Sequence, residues 1–210
     1  MKLLLASGNA KKLRELVALF DGEGVEVVTP ADVGGLPEVI EDRDTFAGNA
    51  AKKATSGAQA SGLWTLADDS GLEVDALGGA PGVYSARYAG EPCDDAKNNA
   101  KLLEELRDVA PAERGARFVC ALAVARPDGE VVIEIRGEAR GRILSEARGG
   151  DGFGYDPLFL FDEPDQPGTG HAFAELSRDE KAAVSHRGRA LARLVAPLSE
   201  LLTRHAGIDS

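Results

Sequence analysis

The clearest indication of fold class in this chain is the segment Leu63-Trp64-Thr65-Leu66-Ala67-Asp68-Asp69-Ser70-Gly71, an apolar run that ends in two adjacent carboxylates. A run of this length predicts a buried strand, and the acids follow it where a strand gives way to a loop, the usual position of functional side chains in α/β proteins. Two oxygen ligands side by side indicate a divalent cation such as Mg²⁺. The alternative is a plain polar turn, because Asp, Ser and Gly are all common turn residues.

Strands and helices alternate on both sides of this segment. Before it, the pattern predicts strands over residues 2–6 and 25–28, an amphipathic helix between them with apolar positions from Leu13 to Phe20, and an alanine-rich helix over 46–60. After it, the pattern predicts a helix over 94–107, a hairpin of strands over 117–125 and 131–136, and a strand over 158–161. A last helix is predicted to start from a capping box at Ser177 and Glu180 and to run on through Pro197. No internal repeat or long linker interrupts residues 1–210. We therefore expect an α/β fold with a mixed central sheet flanked by helices, in an elongated single domain with a cleft between two lobes.

Composition limits the classes of partner. With 210 residues, 28% charged and 43% hydrophobic, the chain resembles an ordinary soluble globular protein. Its net charge of −11 argues against broad binding to nucleic acid or to an anionic membrane, so any site for an anion must be local. The opening apolar run is too short for a signal peptide, and no later stretch approaches the ~20 apolar residues of a membrane span. Cys93 and Cys120 match no zinc or redox spacing, which favours free thiols and a cytoplasmic protein.

A candidate phosphate site follows the first predicted strand. The segment Ser7-Gly8-Asn9-Ala10-Lys11-Lys12 lies at a strand-to-helix junction, where unpaired backbone N–H groups and the positive end of a helix attract phosphate. Lys11 or Lys12 adds a full positive charge. The segment does not match the Walker pattern, and ordinary helix capping by Ser7 or Asn9 is the alternative.

Three further groups of residues carry possible chemistry. Glu41 supplies a second carboxylate for a metal, and Lys53 a charge that neutralises phosphate, although single residues of these types are usually solvated surface groups. The loop Gly149–Pro157 interleaves four glycines with Phe153 and Tyr155. Glycine allows the backbone to approach a ligand closely, and a base can stack on Phe153. The alternative is that the aromatic ring packs into the core.

The third group consists of Lys181 and the run Ser185-His186-Arg187-Gly188. On one continuous helix Lys181 and Ser185 share a face, and solvated surface is the alternative for His186 and Arg187.

These signals occur in an order that resembles a known family. The motifs are Ser-Gly-Asn-x-x-Lys at 7–12, Thr-Phe-x-x-Asn-Ala at 45–50 with Lys53, Ala-Asp-Asp-Ser-Gly at 67–71, Gly-Gly-Ala-Pro-Gly-Val-Tyr-Ser-Ala-Arg-Tyr at 78–88, Gly-Phe-Gly-Tyr-Asp-Pro-Leu-Phe at 152–159, and Ala-Glu-Leu-Ser-Arg-Asp-Glu-Lys with Ser-His-Arg-Gly at 174–188. Together they closely resemble the inosine triphosphate pyrophosphatase family, over nearly the whole chain. Long motifs in order are far more specific than any fragment alone.

The resemblance implies a homodimeric, Mg²⁺-dependent enzyme that hydrolyses inosine, deoxyinosine and xanthosine triphosphates to the monophosphate and pyrophosphate. It implies that residues 7–12 bind substrate phosphate, that Asp69 is general base and metal ligand, and that Glu41 is a second metal ligand. The nucleotide-binding positions that it implies are Ser70, Phe153, Gly154, Tyr155, Asp156, Lys181, His186 and Arg187. Gly48 departs from the pattern, because the family commonly has Glu before Asn-Ala, so no acid role is assigned there.

The chemistry expected of these residues is attack of water on the α-phosphorus. Either Asp68 or Asp69 accepts the proton, while Lys12 and Lys53 stabilise charge on the transferring and leaving groups. Hypoxanthine and xanthine present an O6 acceptor and an N1–H donor, which match an arginine donor and a carboxylate acceptor such as Arg187 and Asp156.

The sequence leaves two other classes of function open. A nucleotide sensor would keep the base site and the glycine loops but would need neither Asp69 nor Glu41, so the paired acids favour an enzyme. A single-strand nucleic-acid binder conflicts with the net charge of −11 and an aromatic content of 5%.

Overall fold

A computed structural model describes residues 2–7, 25–150 and 152–206 of the chain. The predicted helix that contains Leu13 and Phe20 lies outside these residues. So does most of the candidate phosphate segment, from Gly8 to Lys12.

Six strands within the described residues form one sheet in the order β2-β1-β3-β4-β5-β6. Their bounds are β1 Lys2–Leu5, β2 Glu26–Val28, β3 Trp64–Val74, β4 Gly115–Ala125, β5 Val131–Ile143 and β6 Phe159–Phe161. Strand β1 pairs in parallel with both β2 and β3, whereas β5 and β6 are antiparallel. The mixed sheet predicted from the sequence is confirmed, as are the helices predicted over 46–60 and 94–107.

The described helices begin and end at residues whose chemistry explains the boundaries. They are α1 Phe46–Ser61, α2 Asp95–Glu105, α3 Arg178–Val184 and α4 His186–Ala206. The side chains of Thr45, Asp94 and Ser177 each accept a backbone N–H at the start of α1, α2 and α3. Gly62 ends α1 in the left-handed conformation that glycine adopts without strain. None of the described helices combines the length and the apolar character needed to cross a membrane.

The chain divides into two compact units. The first comprises Met1–Asp69, Ala121–Arg136 and Ala190–Ser210, and the second comprises Ser70–Cys120 and Gly137–Arg189. In the first unit, α1 approaches β1 and β3 closely because its buried face carries small residues, Ala50, Ala54, Gly57 and Ala58. A Cβ atom at Gly57 would lie 2.9 Å from the Thr65 side chain, so this position requires glycine.

Aromatic side chains form the core of the second unit. The ring of Phe118 lies 4.7 Å from that of Phe159 and 5.8 Å from that of Phe173, and Phe159 lies 4.9 Å from Phe173. Leu72, Leu102 and Leu106 complete this core and are fully buried. Aromatic pairs at such separations stabilise beyond the area that they bury, so β4 and β6 are held firmly against the segment around Phe173.

The structure corrects the expectation that the paired acids lie in a loop or a turn. Strand β3 runs on through Asp68, Asp69 and Ser70 as far as Val74. Its parallel neighbour β1 ends at Leu5, opposite Leu66, so the carboxylates project from a strand whose partner on that side has already finished. This placement still puts them at the carboxyl end of a parallel pair, where α/β proteins carry functional groups.

The structure also corrects the prediction of one continuous last helix. Helix α3 ends at Val184, Ser185 is extended, and α4 begins at His186. The Ser185 hydroxyl accepts a hydrogen bond from the Gly188 backbone N–H at 3.1 Å, the interaction of a helix N-cap. Lys181 and Ser185 therefore do not share one helix face, because the serine starts a new helix.

Candidate active site

The two acids of β3 are buried in the first unit. Asp68 is 3% exposed and Asp69 is 7% exposed, which is rare for carboxylates unless they are paired. Strands β1 and β3 are last paired at Leu5 and Leu66. Ser7 lies two residues after Leu5, and Asp68 lies two residues after Leu66. Burial of two adjacent acids raises their free energy unless positive charge lies nearby.

Lys53 supplies that positive charge from helix α1. Its Nζ lies 3.0 Å from Glu41 Oε1 and 3.4 Å from Asp69 Oδ1. Burial disfavours the ammonium form, but the negative charges of Asp69, Glu41 and Asp68 outweigh it, so the pKa of Lys53 lies above its ordinary value. Lys53 is therefore a fixed cation that contacts two carboxylates, Glu41 and Asp69, from separate parts of the sequence.

Asn49 was not predicted as a site residue, yet it contacts Asp69 directly. Its side chain is fully buried, and Nδ2 donates to Asp69 Oδ2 at 3.1 Å. Its Oδ1 accepts the Arg43 backbone N–H at 3.0 Å, which fixes the orientation of the amide. The available signal was spacing, because Asn49 and Lys53 are four residues apart on one helix face and reach the two oxygens of the same carboxylate.

Only Ser7 of the candidate phosphate segment belongs to the described residues. It directly follows Ala6, whose backbone N–H donates to the Leu66 carbonyl at 2.8 Å. The roles predicted for Gly8, Asn9, Ala10, Lys11 and Lys12 lie outside the part of the chain that the structure describes.

In the second unit, the glycine-rich loop closes around the carboxylate of Asp156. Asp156 is 2% exposed, and its Oδ2 accepts the Phe153 backbone N–H at 2.9 Å. Lys181 from α3 makes a short ion pair with the same oxygen. Gly152 has a φ of +92°, and a Cβ there would lie 2.6 Å from Oδ2, so glycine is required for this tight turn.

Two cations lie near the half-buried ring of Phe153. Lys181 Nζ is 5.0 Å and Arg187 Cζ is 6.0 Å from the ring centroid, distances at which a cation is attracted to an aromatic face. Arg187 is only 5% exposed, and its Nη2 donates to Ser70 Oγ at 3.2 Å. The structure thus brings Phe153, Lys181, Arg187 and Ser70 into one neighbourhood.

Two other predicted positions in this unit are buried and pack against the core. The imidazole of His186 stacks on Phe118 with centroids 4.8 Å apart and an interplanar angle of 12°. The Tyr155 hydroxyl donates to the Ser85 carbonyl at 2.8 Å, and burial raises its pKa above the ordinary value. These contacts hold the segments around His186 and Tyr155 in place.

The fold and the two clusters define a class of protein. It is an α/β protein with a buried group of carboxylates and lysine at the carboxyl end of a parallel strand pair. It also has a glycine loop that displays an aromatic ring beside cations. The first group suits a metal ion or an anion, and the second suits a ligand with an aromatic ring.

Comparison with known proteins identifies the family. A family model described as the Ham1 family matches residues 3–197. A dITP/XTP pyrophosphatase from Desulforamulus reducens is 50% identical over 201 residues, which cover 96% of this chain and 97% of that protein. A dITP/XTP pyrophosphatase from Geobacter sulfurreducens is 51% identical over 193 residues, which cover 92% and 94%. The chain therefore belongs to the Ham1 family, and the family resemblance drawn from its motifs is confirmed.

Solved structures agree with this assignment. A HAM1 protein from Coxiella burnetii has a TM-score of 0.85 and 38% identity, covering 97% of this chain and 99% of the other. A nucleoside-triphosphatase / dITP/XTP pyrophosphatase from Mycobacterium abscessus has a TM-score of 0.77 and 48% identity, covering 92% and 98%. The α/β fold with a mixed sheet is thus shared with solved members.

Proposed function

We propose that this protein hydrolyses the triphosphates of inosine, deoxyinosine and xanthosine to the monophosphate and pyrophosphate, and so clears non-canonical purines from the nucleotide pool. The observation that carries the proposal is the buried cluster in which Lys53 joins Glu41 and Asp69. Relatives about half identical to this chain over almost their whole length bear the name dITP/XTP pyrophosphatase. A cluster of carboxylates and a lysine suits phosphoryl transfer, because that catalysis depends mostly on positioning and electrostatic stabilisation.

The cluster fits a Mg²⁺ ion held by Asp69 and Glu41. One ammonium contacts both carboxylates, so their oxygens lie near one point, and oxygen ligands are those that Mg²⁺ prefers. The described residues contain no group of three or more His, Cys, Asp or Glu placed to hold a metal. Two carboxylates nevertheless suffice, because Mg²⁺ usually completes its shell with water and substrate phosphates. When bound, the ion would neutralise phosphate charge and lower the pKa of water beside it.

The chain's own residues supply the remaining chemistry. Asp69 or its neighbour Asp68 accepts the proton of the water that attacks the α-phosphorus, and pyrophosphate leaves without a covalent enzyme intermediate. Asn49 holds one oxygen of Asp69 and thereby directs the carboxylate. Lys53, kept protonated by its neighbours, stabilises the negative charge that develops on phosphate oxygens. Residues 7–12 are assigned to the substrate phosphates.

Base recognition is assigned to the second unit. The ring of Phe153 offers a stacking face, Arg187 donates to O6, and the Oδ1 atom of Asp156 accepts N1–H. Adenine presents a donor and an acceptor where these groups need the opposite, and buried polar groups left unpaired can cost ~10⁴ in kcat/KM. Ser70, Gly154, Tyr155, Lys181 and His186 complete the assigned nucleotide site, and we place the working enzyme in the cytoplasm as a homodimer.

The test is release of pyrophosphate from a panel of triphosphates at fixed Mg²⁺, with a chelator in a parallel series. We expect kcat/KM for the inosine and xanthosine substrates to exceed that for adenosine triphosphate by about 10³ or more. Chelation should abolish turnover. Binding of inosine triphosphate without release of pyrophosphate would indicate a nucleotide sensor and not an enzyme. Equal rates on all purine triphosphates would overturn the proposed selectivity.

A further inference from the structure

Helix α2 holds both peptide groups that flank Gly154 in the glycine loop. The Gly154 backbone N–H donates to Asp95 Oδ2 at 2.8 Å, and the Gly154 carbonyl accepts from Asn99 Nδ2 at 2.9 Å. Asp95 and Asn99 are four residues apart and so share one helix face. The two contacts span 59 and 55 residues of sequence, which makes them tertiary contacts between helix α2 and the loop.

The side chain of Asn99 is committed to this contact. Its Oδ1 atom is buried and has no hydrogen-bond partner within the described residues, so the bond to Gly154 is the polar interaction that the side chain makes there. Its neighbour Asn98 instead anchors the helix, because it bonds the Ala89 N–H and the Ala86 carbonyl. Asp94 caps the helix N-terminus. Anchoring and capping of α2 are thus assigned to residues other than Asn99.

Gly154 is a sensitive point of the loop. It has a φ of +61° and lies between Phe153 and Tyr155. The peptide bond that Phe153 shares with it carries the N–H held by Asp95, and the Phe153 N–H is bonded to Asp156. A rotation at Gly154 would therefore move both the aromatic face and the turn around Asp156.

We propose that Asp95 and Asn99 are positioning residues for base recognition. They contact the loop and not the base, and they set the orientation of Phe153 and Asp156 by holding the two peptide groups on either side of the Gly154 Cα atom. This inference rests on the proposed function for the identity of the ligand. Its consequence is a division of kinetic effects, because loosening the base site weakens substrate binding while the carboxylate and lysine cluster of the first unit keeps its own contacts.

Three substitutions separate this role from a general effect on α2. Asn99→Ala removes the donor and should raise KM for inosine triphosphate about five- to tenfold, the value of one lost hydrogen bond, with kcat changed by less than about twofold. Asp95→Ala should raise KM by about two- to threefold, because this bond is exposed to water. Asp95→Asn keeps an oxygen acceptor and should restore the KM of the wild type, although it removes the same negative charge from the helix N-terminus.

Lys97→Ala on the first turn of α2 is the matched control, because Lys97 is exposed and its ion pair is with Asp94. Amide hydrogen exchange in a peptide covering 152–156 provides a readout independent of activity. It should accelerate in Asn99→Ala and stay at the wild-type rate in Lys97→Ala.

Two results would overturn the inference. One is equal behaviour of Asp95→Asn and Asp95→Ala, which would trace the effect to helix charge. The other is unchanged exchange and KM in Asn99→Ala. If the wild-type protein releases no pyrophosphate from any of the triphosphates, the proposed function fails, while the exchange measurement still decides whether the two side chains hold the loop.

Discussion

The carboxylate of Asp69 is oriented by two side chains of helix α1. Asn49 donates to Oδ2 at 3.1 Å, and Lys53 lies 3.4 Å from Oδ1. A carboxylate held in this way is preorganised for its proposed roles as base and metal ligand, because orienting it costs no further entropy when substrate binds. Asp68 is buried as well, but successive side chains of a strand point to opposite faces, so we expect the two adjacent acids to differ in role.

Asp69→Asn should lower kcat for inosine triphosphate by about 10³ or more, because it removes a proton acceptor and a charge but hardly any volume. Binding of inosine monophosphate, measured by calorimetry, should stay within about threefold of the wild type, since the base site is untouched. Asp68→Asn serves as the matched variant and should cost less. A greater loss in Asp68→Asn would transfer the role of base to Asp68.

Arg187 is the residue on which purine selectivity depends in our proposal. Arg187→Ala should reduce kcat/KM for inosine triphosphate by about 100-fold, the value of a lost charge-assisted hydrogen bond, and that for adenosine triphosphate far less. Competition between the two substrates gives this ratio directly. The exposed Arg178 provides a control, because Arg178→Ala should leave the ratio unchanged. An equal loss for both substrates would mean that Arg187 binds phosphate instead of base.

At the scale of elements, the junction between α3 and α4 positions three of the assigned nucleotide residues. Lys181 lies on α3, and His186 and Arg187 open α4. The two helices meet so closely that a Cβ at Gly188 would lie 1.7 Å from the Ala182 carbonyl oxygen. The glycine of the Ser-His-Arg-Gly motif is therefore required by packing, in addition to any contact with a ligand.

Gly188→Ala should destabilise the protein by about 1–3 kcal/mol, because the backbone must move to admit the methyl group. Chemical denaturation gives this value, and KM should rise in the same variant because Lys181 and Arg187 are displaced. Gly150 offers a matched control, since a Cβ there meets nothing within 4 Å and its φ is ordinary. Gly150→Ala should therefore be nearly neutral. An equally stable Gly188→Ala protein would refute the close approach of the helices.

A second link between elements joins α4 to the antiparallel pair β5 and β6. Glu163 Oε1 accepts hydrogen bonds from Arg189 Nη1 and from the Arg140 backbone N–H, both at 2.7 Å. Burial alone would raise the pKa of Glu163, but these bonds and the charges of both arginines outweigh it and hold the pKa below its usual range. The contribution of Glu163 to stability is then present above the ordinary glutamate pKa and is lost as pH falls through the lowered value.

Glu163→Gln should consequently be less stable than the wild type by about 1 kcal/mol at pH 7, with a difference that shrinks progressively as the pH falls below about 4. Urea unfolding at a series of pH values measures this difference. The exposed Glu134 provides the control, because Glu134→Gln should show no such convergence. A difference that stays constant with pH would assign the effect to shape and not to charge.

At the scale of the whole molecule, the chain carries a net charge of −11 while its proposed substrate is a polyanion. Attraction must therefore come from local cations such as Lys53 and Lys181, which pair with buried carboxylates, and Arg187, which bonds to Ser70. This arrangement favours small phosphorylated ligands over long polyanions, whose charge would meet the acidic surface.

The proposed homodimer is testable at the same scale. Light scattering should give a mass twice that of the 22.0 kDa chain, and the value should not change over about a tenfold range of protein concentration. A mass equal to one chain would contradict the dimer. It would leave the proposed chemistry in place, since no residue assigned to the site is taken from a second copy.

Local chemistry made much of the fold predictable. Apolar runs and their spacing indicated every strand of the described sheet, and Thr45, Asp94 and Ser177 are cap residues whose preference is local. Motif order gave the family. The carboxylate pair and the glycine loop could be selected as candidate sites because their composition is unusual within a few residues.

The sequence by itself determined which segments are strands and helices and which residue types carry the chemistry, because periodicity and capping act over a few neighbouring positions. Only the tertiary structure decided that β3 continues through Asp69, that Ser185 separates two helices, and that Asn99 reaches Gly154. Two of these depend on where a distant segment lies, because β1 stops beside Leu66 and α2 brings Asn99 to the glycine loop. The break at Ser185 depends on how closely the two helices pack, with Ala182 against Gly188. Contacts of that kind are set by packing across the whole fold, and no local pattern records them.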